Sequence, residues 1–169
     1  MKTIHQSPLL KLARTSGIFR PRDAQRAGIS RVAIQQACQS GLLTRIGRGL
    51  YALPDYDAGE HASLAEATKL VPGGVVCLLS ALDFHGLTTQ SPARVWLAID
   101  RKARKPQSAC PLEIVRFGKE LLASGVESHR IGNVAVRITN PARTVADCFK
   151  YRNKTGIDIA VEALRDCLR

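Results

Sequence analysis

The chain has 169 residues, 45% of them hydrophobic, enough for one ordinary domain or two small ones with real cores. Lysine and arginine number 25 against 14 aspartates and glutamates, and the resulting +11 favours a polyanionic partner while saying little about fold. There is no apolar run of membrane-span length, the start M-K-T-I-H-Q-S-P lacks the apolar stretch of a signal peptide, and the five cysteines include no C-x-x-C pair, which argues against a membrane protein, a secreted disulfide scaffold and a zinc module.

The first helix is expected just after Ser7, with Ser7 as its cap and Pro8 at its first position, where a missing N–H does no harm. Leu9, Leu10, Leu12 and Ala13 give it an apolar stripe, and Gly17 ends it. A second helix opens at Pro21, runs through Asp23 and Arg26, and stops at Gly28, the residue best suited to the left-handed turn after a helix. Ile29 then plugs the core and the Ser30 hydroxyl caps a third helix from Arg31 to Ser40 that ends at Gly41. On a helical wheel Ile34, Ala37 and Cys38 share the inner face, while Val32, Gln35, Gln36 and Gln39, with Arg31 near the start, form the outer one. That outer face lacks the Glu and Lys that usually solvate a surface helix. Gln makes bidentate bonds to adenine in the major groove and an apolar side chain meets the thymine methyl, so the face is expected to touch base edges; a polar surface that is merely Gln-rich is the plain alternative.

Two apolar runs around Gly47-Arg48-Gly49, namely Leu42–Ile46 and Leu50–Leu53, predict a hairpin with the glycines supplying positive φ at its tip. Arg48 at the tip and Arg45 on the rising strand suit phosphate contact or insertion into a minor groove. Residues 1–54 are therefore expected to form a winged helix-turn-helix domain. Up to Ala58 there are nine basic and three acidic residues, so positive charge is densest where this module lies. Pro54-Asp55-Tyr56-Asp57-Ala58-Gly59 reads as a linker over 55–59.

From residue 60 onward the pattern changes. A helix over 60–71 stops at Pro72-Gly73-Gly74, and the apolar run Val75–Phe84 reads as a buried helix ending at Gly86. Strands are expected at Arg94–Ile99, Leu112–Phe117, Val126–Ile131 and Val134–Ile138, with the basic loop Arg101-Lys102-Ala103-Arg104-Lys105-Pro106 after the first. Asn140-Pro141 opens a helix through Tyr151 by a cap-plus-proline start, and a last helix from about Asp158 puts Val161, Leu164 and Leu168 on one stripe. The fold class is α+β: the winged module followed, over 60–169, by a small mixed domain with helices flanking a short sheet. The scattered cysteines read as reduced core residues of a cytoplasmic protein.

T-R-I-G-R-G-L-Y-A-L closing the module, L-L-S-A-L-D-F-H-G-L at 78–87, the W-L-A-I strand, and V-R-I-T-N-P-A-R-T-V-A-D-C-F at 136–149 together carry a resemblance to the AbiE-type antitoxins, abortive-infection regulators of viral defence. It implies an N-terminal winged helix that binds inverted repeats upstream of its own operon and represses it, and a C-terminal domain that counters a nucleotidyltransferase-like toxin in a type IV system, without a stable complex. By position it implies Arg31, Gln35, Gln36, Gln39, Arg45 and Arg48 as the DNA-facing set, with no cofactor and no metal. Relatives continue with further helical sequence where this chain reaches Arg169, so a truncated or naturally short form is expected.

Other readings are weaker. Ser80, Asp83 and His85 point to different sides of a helix, so they read as packing or capping residues rather than a hydrolase triad. Asp100 followed by Glu113-Ile-Val resembles paired nuclease carboxylates, but position 115 is Val where such a site wants lysine. No phosphate-binding glycine motif is present. The alternatives to a DNA-binding repressor and antitoxin are a nuclease-like enzyme or a basic module for RNA or protein, with the 101–105 loop either solvated or a second phosphate-contacting patch.

Overall fold

A computed structural model of the protein describes residues 7–57, 59–106 and 110–169. The residues before Ser7, where the winged module was expected to begin, and Ala58 of the expected linker lie outside these. The chain forms two compact units: one runs to Leu70 and takes in Arg130–Ala135, the other comprises Val71–His129 and Val136–Arg169.

The first unit opens with α1 (Pro8–Ser16), α2 (Pro21–Arg26) and α3 (Arg31–Gln39). Ser7 stands at the N-cap of α1, but its hydroxyl makes no capping bond. Pro8 presets the first turn and Lys11 N–H already reaches Ser7 O at 3.1 Å, so the start is closed by backbone alone. At α2 the cap is Arg20, whose N–H donates to Asp23 Oδ2 at 2.9 Å while its Nη2 meets Oδ1 at 3.2 Å. Burial pushes the Asp23 carboxyl up, but the hydrogen bonds and charge of Arg20 outweigh it and hold the group below its ordinary value. Gly28, at φ +75°, makes the turn between α2 and α3, and Ile29 N–H returns to Ala24 O at 2.9 Å. Ser30 Oγ then accepts from Ala33 N–H at 3.2 Å.

The hairpin follows as β1 (Thr44–Gly47) and β2 (Leu50–Ala52), antiparallel, with Arg45 opposite Tyr51 and an irregularity between Arg45 and Gly47. Only Gly49 of the two tip glycines takes a positive φ; Gly47 pairs with Leu50, and Ile46 is the extra residue of the irregularity. Leu9, Ala13, Phe19, Ala24, Ile29, Ile34, Ala37 and Leu43 bury the core of this unit. Past β2, Tyr56 in the expected linker is half-buried, and a Cβ on Gly17 would lie 2.6 Å from its ring. A 3₁₀ turn (Gly59–His61) leads into α4 (Ala62–Leu70), the helix expected at 60–71, which falls within the first unit.

The second unit is built on β3 (Val75–Val76), β4 (Val95–Asp100), β5 (Leu112–Phe117) and the greater part of β6 (Val126–Ile131) and β7 (Val134–Thr139), whose Arg130–Ala135 turn is counted with the first unit, in the order β5-β4-β3-β7-β6. β3 is antiparallel to β4 and parallel to β7, and β4 is parallel to β5. The run expected as one helix from Val75 is thus a central strand followed by α5 (Leu78–Phe84). A strand buried on both faces shows no alternation, so periodicity could not separate it from a buried helix. Helices α6 (Pro141–Lys150), α7 (Arg152–Thr155) and α8 (Ile157–Cys167) close the unit; Asn140 Oδ1 accepts Arg143 N–H at 2.9 Å as the cap-plus-proline signal requires, whereas α7 carried no signal. The core-facing side of α8 is Ala160 and Ala163, while Ile157, Leu164 and Leu168 are exposed. The expected stripe of Val161, Leu164 and Leu168 faces outward, with Val161 half-buried. Val75, Leu78, Leu82, Ala98, Val115, Phe117, Val145 and Cys148 complete the core. Among the described residues no helix is long and apolar enough to cross a membrane.

Candidate nucleic-acid interface

Helix α3 carries the site because its inner face is used up in packing. Ile34 and Ala37 are buried, Cys38 is half-buried, and Arg31, Val32, Gln35, Gln36 and Gln39 are all exposed, Val32 at 61%. Helical spacing divides this outer surface into two ridges. Val32, Gln36 and Gln39 form the outward one at i, i+4, i+7; Arg31 and Gln35, continuing into Cys38, form the other.

The second ridge borders an open groove of about 910 Å³ between α3 and the hairpin. Arg31, Gln35, Arg45 and Arg48 line it, over a floor of Pro21, Ile34, Cys38 and Tyr51, and among the described residues no acid lines it. Four of the seven residues singled out in the sequence therefore converge on one concave surface, and Val32, Gln36 and Gln39 lie beside it rather than in it. Arg45 is steadied by its Nε–H, which donates to Gly47 O at 3.3 Å; Arg48 is exposed. Burial raises the Cys38 thiol against the pull of Arg45, so the thiol stays neutral and leaves the positive charge of the groove uncompensated.

Phe19, which the sequence did not single out, braces the wing. Its N–H and C=O both bond to Tyr51, each at 3.0 Å, and the two rings stack with centroids 5.9 Å apart. A one-residue bridge has no periodicity, so no sequence signal reveals it. The Ser30 cap fixes the other wall of the groove. Ser30→Ala is expected to remove about 1 kcal/mol of stability and Ser30→Gly only a few tenths. Thermal denaturation checks this; equal melting temperatures for Ser30→Ala and the parent would mean that the cap contributes nothing.

Residues 7–54 match the family of AbiEi antitoxin transcriptional regulators. The match makes the N-terminal module similar to that family; it does not extend over the rest of the chain. It spans α1 to the end of the hairpin, the elements that build the groove. No curated protein matches the sequence. Among solved structures, the RV2827C protein from Mycobacterium tuberculosis is similar over 85% of this chain, at 16% identity and a TM-score of 0.48, and this chain spans 61% of that one.

The residues considered for catalysis are occupied elsewhere in the second unit. Ser80 Oγ accepts Trp96 N–H at 3.0 Å and ties α5 to β4, while His85 Nε2–H donates to Thr139 O at 2.8 Å. Asp100 and Glu113 sit at opposite ends of the parallel β4–β5 ladder, Glu113 opposite Trp96 and Asp100 opposite Phe117. Four residues of strand put them roughly 13 Å apart, too far to share one metal ion. Asp100 Oδ1 accepts Lys102 N–H at 2.8 Å and Glu113 lies 3.8 Å from Arg94. Among the described residues no group of three potential ligands is placed to hold a metal.

Proposed function

We propose that the protein is a DNA-binding autorepressor and antitoxin. The reading is carried by the convergence of Arg31, Arg45 and Arg48 on a groove without acids, next to an outward ridge of Val32, Gln36 and Gln39. In this reading the ridge enters the major groove and touches base edges, while Arg31, Gln35, Arg45 and Arg48 hold the flanking phosphates. The DNA is double-stranded, with inverted repeats in the protein's own promoter. Residues 1–54 carry this work, 55–59 connect, and 60–169 supply the antitoxin function against a nucleotidyltransferase-like toxin, without a stable complex. The protein acts in the cytoplasm as a regulator, not an enzyme, and uses no cofactor.

A gel shift on the DNA upstream of the protein's own gene, against a random duplex, tests the reading. Specific retardation is expected, and its absence across protein concentrations that shift neither DNA selectively would overturn the proposal. Arg48→Ala should weaken operator and random duplex alike, with the slope of log K against log salt shallower by about 0.9, and Arg45→Ala/Arg48→Ala by about twice that. Unchanged affinity with an unchanged slope would place the wing away from DNA.

A further inference from the structure

Three of the large apolar side chains that the described residues expose lie on α8 and its C-cap: Ile157 at 48%, Leu164 at 38% and Leu168 at 78%. With half-buried Val161 they recur at i, i+4, i+7 and i+11, one straight stripe along the free side of the helix. The opposite side is committed to the core through Ala160 and Ala163.

We propose that this stripe is a self-association surface, on which α8 pairs antiparallel with α8 of a second copy of this chain. The stripe is its own complement. About a two-fold axis between Val161 and Leu164, Ile157 falls opposite Leu168 of the second copy and Val161 opposite its Leu164, so every apolar residue meets another in one isologous contact. Charge selects the same orientation. The charged residues of α8 lie to one side of the stripe, with Asp166 the farthest round from the seam and the others nearer it, along an open groove of about 520 Å³. The acidic Asp158 and Glu162 occupy its first half and the basic Arg165 and Arg169 its second. Antiparallel pairing brings a flank against the same flank of the other copy, run in reverse, so acids face arginines at both ends. Parallel pairing would set this flank against the Ala160–Ala163 side, which is buried. Asp166, farther round the same side, meets Arg169 at 3.1 Å.

The inference stands apart from the DNA-binding reading, though a two-fold dimer suits an inverted-repeat site. A single short helix pair is at the low end of interface sizes, and the +11 charge of each copy opposes association, so the dimer is weak.

Sedimentation equilibrium of the full chain over roughly 10 µM to 1 mM is the test. A monomer–dimer equilibrium is expected. Leu168→Asp, at a side chain too exposed to carry the core, should raise the dissociation constant by about tenfold or more with an unchanged melting temperature. Two charge variants check the orientation: Asp158→Lys/Glu162→Lys leaves only basic residues nearest the seam, and Arg165→Glu/Arg169→Glu leaves only acidic ones. Each alone should be monomeric, and an equimolar mixture should dimerise again. A wild-type chain monomeric throughout, a Leu168→Asp protein that dimerises like the parent, or a mixture that does not recover association would each overturn the proposal.

Discussion

Arg143→Ala should lower the stability of the protein by about 3–5 kcal/mol, because it leaves a buried carboxylate without its partner. Arg143 Nε–H donates to Asp147 Oδ2 at 2.8 Å, one turn along α6, and the two side chains are only 12% and 10% exposed. The same guanidinium donates through Nη1 to Leu121 O at 3.1 Å and Ser124 O at 2.6 Å, and lies 5.3 Å from the centre of the Phe117 ring. One side chain thus pins the segment after β5 to α6. At 2–4 °C per kcal/mol for a chain of this size, the melting temperature should fall by roughly 10 °C.

The defect has a pH signature. Burial raises the Asp147 carboxyl above its ordinary value, even against the hydrogen bond and charge of Arg143 and the charge of Lys150. Without Arg143 the shift grows. A carboxyl with a raised folded value favours the fold fully at pH below its unfolded value and loses that contribution as pH rises through the folded one. The gap between Arg143→Ala and the parent should therefore be widest near neutrality and narrow as pH falls through the carboxylate range. Melting curves of both proteins across that range check it. A variant that melts within about 2 °C of the parent at neutral pH would show that the pair does not hold α6 in place.

The largest effect on DNA recognition is expected at the outward ridge of α3. Gln36→Ala and Gln39→Ala should each weaken operator binding by about 1–3 kcal/mol, the worth of a good bidentate base contact. Random duplex should lose far less, since neither residue lines the arginine groove. Gln35 does line it, so Gln35→Ala should lower both affinities by similar, smaller amounts. Equal losses on operator and random DNA for Gln36→Ala and Gln39→Ala would remove them from base reading.

Features written in local signals were readable from the chain. Gly28 and Ser30 mark the turn and cap between α2 and α3, and the Gln-rich face of α3 is the exposed one. Asn140-Pro141 likewise starts α6 where expected. What escaped depends on partners distant in the chain. β3 has two residues and owes its existence to β4 and β7 on either side. In α8 a hydrophobicity wheel favours the larger residues as core, yet Ala160 and Ala163 are buried because small side chains let a helix approach its neighbour closely. The candidate site shows the same division. Its members were legible one by one, but their split into a groove set and an outward set follows from where the wing folds relative to α3.

The Phe19–Tyr51 bridge has a kinetic consequence. Phe19 and Tyr51 exchange both backbone hydrogen bonds, so the hairpin makes up two members of a three-membered ladder rather than a free-standing two-stranded ribbon, which would be marginal in water. On the proposed DNA-binding reading, Arg45 and Arg48 are then already in place when a duplex arrives. A surface that needs no ordering step associates as fast as diffusion and charge attraction allow, so the lifetime of the complex, not the speed of its formation, is where differences between DNA sequences should be felt.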